Sequence, residues 1–106
     1  MDPHELAEER SLAYHGRVAA LLREQPARLA VARDRVAAWL SKGSVHPAYA
    51  EGWRALLDGP LPDLCALLED RGEQARALRQ VTPFAGFLPP RERWTIWRDT
   101  RARLAS

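Results

Sequence analysis

Eight prolines punctuate this chain of 106 residues, at Pro3, Pro26, Pro47, Pro60, Pro62, Pro83, Pro89 and Pro90, and they constrain its fold more than any other feature. Inside a helix a proline removes one hydrogen bond and clashes with the preceding turn, so helices begin or end at these positions. Between them the sequence is rich in Ala, Leu, Arg and Glu, all strong helix formers, and poor in the β-branched residues a sheet would need. The expected fold is therefore all-α, a compact bundle of five or six short helices. Its length fits one domain, residues 1–106. A hydrophobic content of 46% with 28% charged residues supports a packed core and excludes a disordered chain or a simple polycation.

The spacing predicts where each helix runs. Asp2 is placed to cap a first helix with Pro3 at its first position, and Ala7, Tyr14, Val18 and Leu21 mark its buried face. A break is expected near Gln25. From Pro26 a second helix carries Leu29, Ala32, Val36, Trp39 and Leu40 inward and ends at Gly43. A third spans Pro47 to Asp58, with Tyr49, Trp53, Leu56 and Leu57 on its apolar side and Gly59-Pro60 as its stop. Pro62 opens a short helix bearing Leu64, Leu67 and Leu68. Asp70, three residues before Glu73, has the spacing of a capping box for the next, whose inward residues are Ala75 and Leu78. The stretch VTPFAGFLPP cannot be a regular helix. Thr82–Pro89 is expected as an ordered loop whose Phe84 and Phe87, both phenylalanines of the chain, are anchored against apolar neighbours. The last helix starts near Pro90 and sets Trp94, Trp97, Arg101 and Leu104 along one side.

Several function classes lack the residues they need. His4, His15 and His46 lie on separate segments, without the spacing of a metal site. His15 reads as a surface or partly buried helix residue, His46 as a cap for the third helix, and Cys65 as a small apolar filler. There is no glycine-rich phosphate loop, and acids beside Arg, such as Asp34 with Arg35 or Asp99 with Arg103, read as surface ion pairs. No catalytic residue, metal or cofactor is thus expected. A single cysteine, with neither a signal peptide nor a membrane span, points to a cytoplasmic protein. The excess of Arg over Lys reads as coding background rather than as a need for guanidinium chemistry.

Charge is informative by segment. Residues 1–25 carry −2, residues 26–50 +3, residues 51–80 −2 and residues 91–106 +3. That alternation suits helices that neutralise one another more than one broad polyphosphate-binding face. Trp and Arg dominate protein interface hot spots, so the candidate protein-binding residues are Phe84, Phe87, Arg91, Arg93, Trp94, Trp97 and Arg98, expected to supply core and interface together. Spaced three apart on an amphipathic helix, the two tryptophans read first as core anchors and the arginines around them as a solvated rim. A second reading has the Arg-rich last helix contact nucleic-acid phosphates while its indoles stack on bases.

The segment ALRQVTPFAGFLPPRERWTIWR also resembles the C-terminal signature of a group of small bacterial helical proteins. In that group an Arg-Gln, a Ser/Thr-Pro-Phe-Ala-Gly turn and a Pro-x-Glu-Arg-Trp recur in order. The matching positions are Leu78, Arg79, Gln80, Thr82, Pro83, Phe84, Ala85, Gly86, Leu88, Pro90, Glu92, Arg93 and Trp94. Trp53 to Leu68 resembles the group more loosely, so about half of the chain is covered. The resemblance implies an antitoxin-like or regulatory accessory protein that binds a protein partner, a second copy of itself being one candidate, and it transfers no catalytic residue.

Overall fold

The computed structural model describes residues 2–106, which form six α-helices and one short 3-10 turn. Helix α1 (Pro3–Glu24) is the long axis, about 33 Å at the usual helical rise. The Asp2 carboxylate accepts from the His4 backbone N–H at 2.9 Å and caps it as the sequence suggests. The chain breaks at Gln25. Pro26–Arg28 is a 3-10 turn rather than the start of the second helix, which begins one residue later as α2 (Leu29–Lys42). Helices α3 (Pro47–Asp58), α4 (Leu61–Leu68), α5 (Glu73–Arg79) and α6 (Pro90–Ala105) follow. Among the described residues there is no strand.

Three local expectations need correcting, the simplest being Tyr49, which is exposed while Ala50, Trp53 and Leu57 form the packed side of α3. The buried stripe of α1 is His15, Val18, Ala19 and Leu22; Tyr14 and Leu21 are half-buried and Ala7 is exposed, so the face is rotated from the predicted one. Asp70 does not cap α5. Its carboxylate instead accepts from the Gly72 backbone N–H at 2.9 Å, closing a turn between α4 and α5, and Gly72 takes the cap position.

Helix α1 packs against α4, α5 and α6, and α2 against α3. The core joins these groups through Val18 and Leu22 of α1, Ala32 and Val36 of α2, Trp53 and Leu57 of α3, and Leu64, Cys65 and Leu68 of α4. The irregular segment 81–88 enters this core through Phe84, Phe87 and Leu88, while Ala85 and Gly86 stay exposed. Phe84 is fully buried, edge-on to Trp53, Phe87 and His15, with ring centroids 5.6, 5.2 and 6.4 Å away. Gly86 has φ +77°, a left-handed conformation costly for other residues, and this lets the chain reverse between the two phenylalanines.

A turn inside a core must find partners for its backbone polar groups, and here side chains from three helices supply them. The Trp53 indole N–H donates to the Val81 carbonyl at 2.7 Å, and the Tyr14 hydroxyl donates to the Phe84 carbonyl. Arg35 Nη1 donates to the Pro83 and Ala85 carbonyls at 2.9 and 2.6 Å. His15 completes the clasp. Its Nε2 lies 2.8 Å from Thr82 Oγ1, which also accepts from the Phe84 backbone N–H at 3.1 Å, and its Nδ1 lies 2.7 Å from the Ser11 carbonyl. The consistent arrangement is a neutral ring that donates from Nδ1 to Ser11 and accepts the Thr82 proton at Nε2. Burial pushes the His15 pKa down to about 4, assisted by the Arg79 charge and opposed by the Ser11 carbonyl.

The arginine excess therefore has a structural use that composition concealed. Arg33 donates to the Leu57 carbonyl at the end of α3, and the buried Arg79 donates to the Leu67 carbonyl in the last turn of α4 and to the Asp70 carbonyl just beyond it. Arg35 is occupied with the turn and forms no ion pair with Asp34. A planar guanidinium can hold diverging carbonyl groups at a helix end while packing its stem against the core, which suits these sites better than an ammonium.

Candidate protein-docking surface

The surface of interest begins with how α6 is mounted. Pro90 stands at its first position, where the missing N–H costs nothing. The helix lies on α1 through residues spaced four apart: Ile96, Thr100 and Leu104, with Glu92 one turn earlier. Only Thr100 of these is fully buried. Arg17 of α1 pairs with Glu92 at 2.7 Å, and Arg10 Nε donates to the Trp97 carbonyl at 3.2 Å.

This mounting leaves the indoles outside. Trp94 is 57% and Trp97 48% exposed, so they are not the core anchors their spacing suggests. The stripe Ile96-Thr100-Leu104 was the better guide to the packed face. Weighting bulky indoles over a modest aliphatic stripe rotated the helix in the sequence reading. The two rings stand 5.8 Å apart at 56° to each other. The Arg10 guanidinium lies over the Trp97 ring, 3.9 Å from its centroid, a cation–π contact that holds one face of that indole.

Between α1 and α6 these residues line an open groove of about 410 Å³. It is formed by Trp94, Trp97, Tyr14, Pro90 and Ile96, with Ser11 beside them and Arg10 and Arg93 at its rim. The candidate set is thus divided. Phe84 is fully buried and Phe87 almost so, and both belong to the core, whereas Arg93, Trp94 and Trp97 come together at the groove. Arg91 faces a second groove on the other flank of α6, and Arg98 lies 3.4 Å from its neighbour Asp99, which pairs there rather than with Arg103. Arg10, Tyr14 and Ile96 escaped the sequence reading because two of them sit some eighty residues away on α1, and nothing local relates them to the tryptophans.

The remaining reactive side chains are committed elsewhere. Both ring nitrogens of His15 are engaged in the clasp, and the His46 Nδ1 accepts from the Ala48 backbone N–H at 3.1 Å, capping α3 as expected. Cys65 is buried, and burial raises its thiol pKa, away from the reactive thiolate. Among the described residues no three His, Cys, Asp or Glu side chains are placed to hold a metal ion, and no helix is long and apolar enough to cross a membrane.

The alternation of charge resolves only partly into pairs. Glu9 meets Arg71 at 2.8 Å, Glu8 meets Arg76 at 3.3 Å and Glu69 meets Arg23 at 3.4 Å, so α1 is neutralised by the acids and bases around α4 and α5. The basic helices are not neutralised in the same way. The arginines of α2 turn to carbonyl groups, and on α6 Arg91, Arg93, Arg101 and Arg103 have no carboxylate within ion-pair distance among the described residues. Compared with known proteins, the chain matches no family, no curated protein and no solved structure.

Proposed function

We propose that this protein is a non-enzymatic accessory or antitoxin-like regulator that acts by docking a protein partner on the Trp94–Trp97 groove. One observation carries the reading: the fold buries Trp53, Phe84 and Phe87 completely or nearly so, yet leaves two adjacent tryptophans about half exposed and ringed by arginine. Trp and Arg are the residue types that most often supply interface binding energy, and a rimmed apolar patch of this kind marks a partner site. The antitoxin-like character rests on the resemblance of the Ala77–Arg98 string. A protein of that type works by occupying a partner, which needs a surface and no reacting group.

The competing reading is nucleic-acid binding through the arginines of α6 that lack acid partners. Against it, one face of Trp97 is already covered by Arg10, and the two indoles are tilted rather than parallel, a poor platform for successive bases. A photo-cross-linking residue at position 94, expressed in native cells beside a control at the exposed Val31 of α2, tests the choice. A discrete protein adduct from position 94 that the control lacks is expected. Adducts to nucleic acid, or an identical pattern at both positions, would overturn the docking reading.

A further inference from the structure

The groove differs in charge from the other depressions of the surface. On the opposite flank of α6, Arg17, Arg91 and Arg103 share their groove with Glu92 and Asp99. Beside α5, Arg71, Arg76 and Arg79 share theirs with Glu5, Glu8 and Glu9. Those sites are neutralised from within. The tryptophan groove is lined by Arg10 and Arg93 and by no carboxylate. Two guanidiniums, Arg10 over the Trp97 ring and Arg93 at the rim, therefore face the groove without a counter-charge in its lining. Burial of an apolar ligand here would move these guanidiniums toward a drier environment, where an unpaired charge is costly and a carboxylate partner is worth more than in water.

Resting on the docking reading above, we infer that the occupant is an acidic segment of another protein, one that inserts a large aliphatic or aromatic side chain between Trp94 and Trp97 and sets Asp or Glu against Arg10 and Arg93. A second copy of this chain fits less well. Eight of its fourteen acids are engaged, Glu8, Glu9, Glu51, Glu69, Glu92 and Asp99 in ion pairs and Asp2 and Asp70 in turn caps. Nucleic acid would supply anions without the apolar anchor that the groove between the indoles calls for.

The probe is a random peptide display library selected on the intact protein and counter-selected on W94A/W97A, a variant whose changed side chains are exposed. The expected result is a Trp-dependent consensus containing one large apolar residue and at least two acids. Its binding should weaken roughly tenfold or more in R93E, and similarly when the peptide's acids are replaced by amides. A Trp-dependent but uncharged or basic consensus would overturn the acidic partner and leave the docking reading intact. Failure to select any Trp-dependent peptide would overturn both. Sedimentation of the wild type and W94A/W97A provides a further arm: a dimer that the double substitution converts to monomer would assign the groove to a second copy and refute this inference. Trp-dependent binding of a single-stranded oligonucleotide would refute it as well.

Discussion

The segment 81–88 and helix α6 are neighbours in sequence and opposites in attachment. The first has no regular structure, yet α1, α2 and α3 each send it a side chain and Phe84 is wholly buried. The second is a regular helix of 16 residues that lies along α1 yet, among the described residues, buries only Thr100. Regular secondary structure is therefore a poor guide to where this molecule is held together. A helix satisfies its own backbone and can be lightly attached, whereas an irregular segment must be fixed from outside by many partners or not at all.

The largest expected effect tests the buried side of this comparison. Phe84→Ala empties the centre of the aromatic cluster and should cost about 3–5 kcal/mol in urea unfolding, the range for deleting a buried aromatic ring. Against a stability typical of a domain this size, that leaves the protein close to unfolding at room temperature. A loss below about 1 kcal/mol would mean that the turn is not the keystone its packing indicates.

Acid should loosen the same region. His15 is held neutral in the folded protein with a pKa of about 4, against 6.5 for an unhindered ring. As pH falls through the upper value the unfolded chain takes up a proton and the folded one does not, so stability declines. The loss is complete once the pH is below the lower value. The whole shift corresponds to about 3 kcal/mol, present above pH 6.5 and removed progressively down to pH 4. Unfolding midpoints across this range measure it, and His15→Gln should flatten the slope. A ring that titrates near its ordinary value by NMR would contradict a buried neutral clasp.

Much of the scaffold was legible in the sequence for reasons that are local. Proline and glycine act on their own turn, so the bounds of α3 and the starts of α1 and α6 followed directly from Pro47, Gly59, Pro3 and Pro90. The loop with two anchored phenylalanines was legible for the same reason. What escaped was non-local: His15 reads as surface or partly buried, because the partner that fixes it in the core, Thr82, is 67 positions away. Arg35 reads as half of a surface ion pair with Asp34, because a carbonyl acceptor leaves no mark in a sequence. At α6 side-chain size points to the wrong face, because the packed face is set by which stripe fits α1.

Arg35 is the next test of how the turn is held. Arg35→Met keeps most of the stem's bulk and removes the donor shared by Pro83 and Ala85, of which Pro83 is buried. The expected loss is about 1–3 kcal/mol, the range for a charge-assisted hydrogen bond whose removal strands a buried acceptor. Arg35→Lys should recover only part of it, because an ammonium on a shorter reach lacks the guanidinium geometry. Full recovery by lysine would show that charge alone, rather than the shape of the donor, fixes the turn.

The smallest effect is expected where sequence intuition would place a large one. Trp94→Ala with Trp97→Ala removes half of the chain's four tryptophans, yet both rings are largely exposed and neither touches the central aromatic cluster. Unfolding free energy should change by only about 0.5–1 kcal/mol, most of it from the Arg10 contact and partial packing on Tyr14 and Ile96. Intrinsic fluorescence gives an independent check: the exposed pair should account for the red-shifted, readily quenched part of the emission, leaving the protected signal of the buried Trp53 and half-buried Trp39 in the variant. Should the double variant instead unfold like Phe84→Ala, the indoles would be structural and the division between a clasped turn and a lightly mounted, partner-facing helix would fail. If stability holds while peptide binding disappears, the two tryptophans are retained for what they contact outside the molecule, because nothing inside it depends on them.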